Sequence, residues 1–397
     1  MTFVWLMELL KGTGKLLLHP LFYYFFFIAA YLGVSRVKRE RQNFHTRAED
    51  AFFELRQLLP TGLIIGLVLS VITIVSGLVI PFALVIVIGV MTLLLSIPVR
   101  ARLLSPVYAV GSAFFVLIFT AGQDWGIPVI GKYFESIEDQ IYPSVAILLA
   151  LLVIGEGILI RTNGVKGSSP KLTKSRRGQT VGVHEVKRLW MLPVFLLIPG
   201  EVLEPPFSWW PVFEMGNQLY SLMLVPFAVG IQQQIQGKLP KEAIRMHGGR
   251  VLGLGVLVLA VAVVGYWFPV ASIAAVALAM VGRELIYLVQ RVRDENRPFY
   301  FSKQNQGVMI LGVIPGSPAA KMDLQVGELV TKVNGIQVKD EKSFYEAIQR
   351  NAAHCKLEVL DTKGQIRFVQ RALYEGDHHQ LGILFVQDEK KWDSAAV

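Results

Sequence analysis

The side chains best suited to chemistry are few in this chain, and their spacing argues against an active centre. His184-Glu185 opens like the zinc-binding helix of a metalloprotease, which needs His-Glu-x-x-His so that two imidazoles reach one metal from one face. Val186, Lys187 and Arg188 follow instead, and no second histidine closes the site. Ser168 and Lys171 have the Ser-x-x-Lys spacing of a serine nucleophile and its base, but within a Gly-Ser-Ser-Pro stretch that reads as linker. His378-His379 has no third ligand nearby. The single cysteine, Cys355, can form neither an intrachain disulfide nor a zinc or iron–sulfur site. Gly-x-Ser-Gly, Walker and dinucleotide glycine patterns are missing from the sequence. No catalytic residue, metal ligand or cofactor is therefore assigned, and the chain is expected not to be an enzyme.

Two other constellations remain. Glu156 and Arg283-Glu284 interrupt long apolar runs, where ionisable groups are functional suspects by default. A transporter would carry several such groups near mid-membrane, on broken helices in two matching halves. No internal repeat is visible, so Glu156 is expected to snorkel or to meet a cation at a loop boundary. The second constellation uses backbone groups. Leu381-Gly382 precedes an apolar strand, Ile383, Leu384, Phe385 and Val386. Backbone N–H groups around a glycine can approach and hold a carboxylate, and an extended peptide can pair with the strand that follows. Phe344 and Ile348, on one face of a helix at 340–351, are expected to complete that groove. The plain alternative is a closing strand with an idle edge.

The elements that must position these groups follow from composition. Of 397 residues, 53% are hydrophobic and only 17% charged, against about 25% charged in a soluble domain. Apolar runs of membrane-spanning length fill the chain before residue 290, and short strand-like bursts follow residue 300. Spans are expected at 16–34, 61–79, 82–99, 103–121, 143–160, 190–204, 217–233, 251–268 and 270–289. All are read as helices, because lipid leaves no partner for free backbone groups. The fold class is thus a polytopic α-helical membrane protein of 8–9 helices with a C-terminal α+β domain. The divisions are 1–60 (first helix and basic linker), 61–297 (membrane domain with a polar loop at 161–189), 298–390 (soluble domain) and 391–397 (flexible tail). Segment 16–34 either spans fully or lies at the interface through its aromatic run Leu21–Phe27. Segment 190–204 is weak, being short and holding Pro193, Pro199, Glu201 and Glu204.

The net charge of +9 lies wholly in the membrane half, since the chain from residue 298 carries 12 cations and 12 anions. No basic face for nucleic acid is expected on the soluble domain. Every second loop is basic: 35–60, Arg100 with Arg102, 161–189, 234–250 and the stretch Arg291–Arg297. That alternation puts these loops and the C-terminal domain in the cytoplasm. The loop 161–189 is expected to serve as a topological anchor or to touch anionic membrane lipid or an acidic partner.

Residues 307–335, GVMILGVIPGSPAAKMDLQVGELVTKVNG, resemble a PDZ domain. Ser317-Pro318 starts its short helix, Asp323 stands where glycine is usual, Gly327-Glu328 replaces the usual Gly-Asp, and Asn334-Gly335 turns a hairpin. The carboxylate-binding loop and strand come last, at 379–386, the circularly permuted order of bacterial PDZ domains. Many apolar helices, no protease motif and one C-terminal PDZ domain together resemble the MinJ family of division-site determinants in rod-shaped Gram-positive bacteria, as does HPLFYYFFFIAAYLGVSRVKRERQNFHTR at 19–47. The resemblance implies a membrane adaptor that bridges a DivIVA-like polar and septal protein to a MinD-like ATPase and contacts the division machinery. The alternatives are a diverged intramembrane protease or its regulator, and a transporter with a regulatory tail. The terminus Ala395-Ala396-Val397 suits the groove of a neighbouring copy, which would give self-association, or is simply frayed.

Overall fold

The computed structural model describes residues 2–120, 141–200, 202–204, 206, 210–212, 219–350, 354–372 and 381–386. Glu201, His378-His379, Gln380 and the tail 391–397 lie outside them. The chain opens with α1 (Thr2–Leu18), separated from α2 (Pro20–Phe44) at His19. Proline at the first helical position has no N–H to lose, and His19 Nδ1 accepts from the Leu21 N–H at 3.3 Å. Then come α3 (Phe53–Gln57), α4 (Pro60–Ser76), α5 (Phe82–Ser96), a 3₁₀ turn at Ala101–Leu104, α6 (Pro106–Thr120) and α7 (Ile141–Asn163). After a three-stranded sheet follow α8 (Pro240–Val264) and α9 (Pro269–Glu295). Among the described residues five stretches are long and apolar enough to cross a membrane: Pro20–Phe44, Phe53–Ser76, Ile141–Asn163, Pro240–Val264 and Pro269–Glu295.

Helix α7 is apolar all round and buried nearly throughout, as a helix at the centre of a bundle must be. Helix α8 approaches it along Gly157, Gly248 and Gly255, where a Cβ would strike Leu252, Arg161 and Ile154. Helix α2 continues through the first part of the basic stretch, to Phe44, and Arg36 turns inward to Glu40 at 2.9 Å and Glu54 at 2.6 Å.

Segments 190–204 and 217–233 are not helices, which corrects the expected helix count. They belong to β2 (Thr180–Gly200) and β3 (Leu219–Ile235), an antiparallel hairpin in which Pro193 faces Pro226. Most of the loop 161–189 is likewise ordered, as β1 (Ser169–Lys174) paired with the start of β2. Strands are tolerated here because the bundle satisfies the hairpin's edge. Met191 N–H donates to the Leu58 carbonyl at 2.9 Å and Phe195 N–H to Ser70 Oγ at 2.8 Å. The Phe195 carbonyl accepts from Thr73 Oγ1 at 2.7 Å, and that of Leu197 from Ile80 N–H at 2.7 Å. Gly62, Gly66, Ser70 and Thr73 form one stripe on α4, and a Cβ at either glycine would run into the Met191 or Pro193 carbonyl. A stripe of small and hydroxylic residues thus replaces the missing neighbouring strand. Buried Arg188 closes the end of α7, donating to the Asn163 and Lys166 carbonyls at 2.5 Å each.

The C-terminal domain contains β4 (Val308–Val313), α10 (Pro318–Lys321), β5 (Leu329–Val333), β6 (Ile336–Gln337), α11 (Glu341–Gln349), β7 (His354–Leu360), β8 (Ile366–Ala372) and β9 (Ile383–Phe385). The sheet order is β8-β7-β5-β4-β9, with β6 beside β5, so the last strand in sequence forms one edge. Its core gathers Val308, Ile310, Val330, Val333, Phe344, Ile348, Cys355, Leu357 and Phe385.

Candidate peptide-binding groove and its seat on the bundle

Local chemistry builds the groove's frame. Ser317 Oγ accepts from Ala320 N–H at 3.3 Å and caps α10, with Pro318 in its first turn. Asp323 takes the left-handed conformation that ends this helix, with φ 55°. Asn334 and Gly335, with φ 49° and 82°, make the tight turn between β5 and β6. Asp340 Oδ1 accepts from Ser343 N–H at 2.7 Å, and Ser343 Oγ accepts from Asp340 N–H at 3.1 Å, fixing the start of α11.

Among the described residues β9 pairs only with β4, so its other edge is open. The turn before it is tied down by its carbonyls: Leu381 O accepts from Ala319 N–H at 2.9 Å and Gly382 O from Ile314 N–H at 2.8 Å. The Leu381 and Gly382 N–H groups find no acceptor among the described residues, although both residues are buried. Buried donors without acceptors favour an anionic guest. Gly382 has φ 83°, and a Cβ there would collide with Ser317. Phe344 and Ile348 are fully buried, and Phe344 meets Phe385 edge-on at 4.9 Å, so the three sit in the core beneath the groove with Leu381 and Ile383. Leu384 turns the other way, with Val386, out of this core. Sequence reasoning passed over Tyr345, a half-buried aromatic on α11. Burial, with Glu341 nearby, pushes its phenol up to about 12.

The face bearing Leu384 is the domain's seat. Leu384, Val386, Met309, Leu311 and Leu329 pack with Phe301 and with Phe44 from the end of α2. Gly182 N–H donates to the Phe301 carbonyl at 2.8 Å, and a Cβ on Gly182 would strike Leu311. His184 is fully buried in this seam: Nε2 lies 2.9 Å from the Leu311 carbonyl, and the ring lies 5.1 Å from that of Phe301. Burial lowers its pKa to about 4, so the imidazole is neutral and donates to Leu311. The histidine that fails as a metal ligand therefore fastens the domain to β2. Its only sequence signal was a histidine inside a β-branched run.

Glu156 is fully buried and does meet a cation, but from the last span rather than a loop. Arg283 Nη2 lies 2.8 Å away, and Ser105 Oγ donates to the same carboxylate at 2.6 Å. Glu284 binds Arg102 at 3.1 Å and Tyr108 at 2.7 Å. Charges paired in this way tie the 3₁₀ turn and the helices together instead of lining a path. No group of three or more metal-ligating side chains occurs among the described residues.

Residues 309–361 match the PDZ domain family, a segment that ends before the turn and strand at 381–386. Over its full length the chain is 43% identical to the cell division topological determinant MinJ of Bacillus subtilis (strain 168), covering 99% of that protein. It is 24% identical over 91% of its length to a probable MinJ of Lacticaseibacillus paracasei, covering 94% of it. A likeness to the mitochondrial serine protease HTRA2 of Drosophila ananassae, at 28% identity, spans only 93 residues, 23% of this chain and 21% of that one. No solved structure matches the chain.

Proposed function

The chain belongs to the MinJ family of cell division topological determinants, and from that premise we propose that it is a non-enzymatic membrane adaptor whose PDZ groove captures a partner for division-site selection. The observation that carries this reading is the edge of β9 left unpaired among the described residues, beside the N–H groups of buried Leu381 and Gly382, which find no acceptor among those residues. An entering peptide adds a strand along Ile383–Phe385 and lays its terminal carboxylate on those donors. The seam at His184 and Phe301 supports a groove held in fixed relation to the bundle. An adaptor gains from that, because tethering both partners to one membrane raises their effective concentration. The partner set is the one the family resemblance implied: a DivIVA-like polar and septal protein, a MinD-like ATPase and proteins of the division machinery. The basic turns support a cytoplasmic PDZ domain on a cell-membrane protein enriched at septum and poles.

The test is co-capture of these three partner classes with the full chain from membranes. Gly382→Glu adds a Cβ against Ser317 and a carboxylate beside the N–H groups offered to the guest, and Ile383→Asp charges the pairing strand from its core side, so loss of a partner counts only where cooperative unfolding shows the variant's PDZ domain still folded. Both variants are expected to stay in the membrane and to lose at least one partner. Undiminished capture of all three by both variants, with the domain still folded, would show that the groove is idle.

A further inference from the structure

The sheet of the PDZ domain ends in β9 on one side and in β8 on the other. Among the described residues β8 pairs only with β7, over seven residues and without a register shift. The hairpin is closed by the Asp361 N–H, which donates to the Gln365 carbonyl at 2.9 Å. Antiparallel bonding alternates from there, so the backbone N–H and C=O groups of Ile366, Phe368, Gln370 and Ala372 point away from β7. Natural edge strands are guarded at such positions by charge, proline or a bulge. β8 has none of these guards: its outward positions carry no charge and no proline, and Ile366 and Phe368 are 62% and 65% exposed. The charges of the strand lie on its other face, where Arg367 is held by Glu328 at 2.7 Å.

The seat on the bundle fixes how this edge is presented. The sheet face that carries Leu384, Met309 and Leu329 meets Phe44 at the end of α2, Leu239 before α8 and Tyr300 after α9. Three helix ends meet one face, so the sheet lies across the end of the bundle and its normal runs along the bundle. Ile366 stands opposite Leu360, which is partly buried on the seat, and burial is lost beyond it, so β8 overhangs the bundle. Two identical antiparallel edges are related by a two-fold axis perpendicular to the sheet. That axis runs along the bundle, so two copies joined through β8 keep one orientation in one membrane. One register suits the residue types. Centred on Phe368, it sets Phe368 against Phe368, Ile366 against Gln370, Arg367 against Val369 and Arg371 against Gln365. Centred one residue later, it would set Arg367 directly against Arg371, which is unfavourable.

We propose that β8 is the surface through which two copies of this chain join, as an antiparallel pair centred on Phe368 that runs the two PDZ sheets into one. A single pair of strands is a small contact. Both copies are confined to one membrane, which raises their effective concentration and lets a weak contact hold. β9 lies at the opposite edge of the sheet, so joining through β8 leaves both β9 edges free.

Cysteine cross-linking of the full chain in its native membranes reads the register. Phe368→Cys is expected to give a disulfide-linked dimer under mild copper–phenanthroline oxidation, because facing residues of an antiparallel pair lie within disulfide reach. Gln370→Cys is expected to give about fivefold less or lower, since its twin lies about 13 Å further along the strand. Exposed Glu346→Cys, on α11, serves as the collision control, and native Cys355 is buried. Charge exchange tests the same contact without an oxidant. Copies fused to a donor or an acceptor fluorophore are reconstituted into one set of lipid vesicles. Phe368→Lys with itself and Phe368→Glu with itself are expected to associate about fivefold less than the wild type, and Phe368→Lys with Phe368→Glu to regain most of the loss. Cooperative unfolding confirms that each variant keeps its PDZ domain, as the exposure of Phe368 leads one to expect. Cross-linking of Phe368→Cys no stronger than that of Gln370→Cys or Glu346→Cys overturns the proposal, and so does a mixed Lys and Glu pair no stronger than the like pairs.

Discussion

Removing the Glu156 carboxylate is the sharpest test of how the bundle is held together. Glu156 is fully buried, and the Arg283 side chain is only 4% exposed. Glu156→Ala therefore leaves a guanidinium in an apolar interior with no counter-charge and deprives the Ser105 hydroxyl of its acceptor. Breaking a buried pair from one side costs about 3–5 kcal/mol, whereas replacing both partners by apolar groups of similar volume is often neutral or better. At about 2–4 °C per kcal/mol, the scale for bodies of 150–250 residues, the single variant should unfold roughly 6–20 °C lower. The double variant Glu156→Leu/Arg283→Met should lie within a few degrees of the wild type. The assay is thermal unfolding of the detergent-solubilised chain, followed by tryptophan fluorescence, to which buried Trp190 contributes. A single variant as stable as the wild type would refute the reasoning, because the pair would then be contributing nothing and its charges would need another purpose. A double variant as weak as the single would mean that the cavity, not the lost charge, sets the cost.

Three further outcomes are expected. His184 is held near pKa 4 by burial against about 6.5 when undocked, so the seam is at full strength above pH 6.5 and weakens as pH falls toward 4, by about 3 kcal/mol at most. Hydrogen exchange at Gly182 and Phe301, corrected for intrinsic rate, should therefore accelerate below pH 6, and a flat profile between 7 and 4.5 contradicts it. Burial pushes the Cys355 thiol up to about 12, so thiol reagents at pH 8 should label the native PDZ domain only as fast as it opens; prompt stoichiometric labelling would sink this. A reporter that is active only in the cytoplasm, fused after Val397, should be active, and activity of an export-dependent reporter at the same place would reverse the topology.

The parts of the fold visible in the sequence are those fixed by neighbours in the chain. Ser317-Pro318, Asn334-Gly335 and Asp340 each set their own turn or cap through bonds spanning three or four residues, and Pro20, Pro106 and Pro269 each begin a helix. The hairpin of β2 and β3 was not visible because a long apolar run reads alike as buried helix or buried strand. The discriminating evidence lay elsewhere in the chain. The stripe of Gly62, Gly66, Ser70 and Thr73 on α4 has meaning only once a strand edge lies against it. The same holds for the site. Gly382 and the strand after it could be read from local pattern, but the opposite directions of Phe385 and Leu384 depend on the bundle that receives Leu384. His184 gains its role only from Leu311, which lies 127 residues further along the chain.

As proposed, the groove recruits partners at the division site from a chain that stays in the membrane. Imaging of a fluorescently tagged chain as the sole copy in growing cells tests it most directly, comparing the wild type with Gly382→Glu. The wild type should concentrate at septum and poles, and the variant should remain in the membrane while the MinD-like or the DivIVA-like partner loses its normal position or division becomes misplaced. Uniform membrane staining of the wild type, or normal partner positions and normal division in the variant, would contradict the claim.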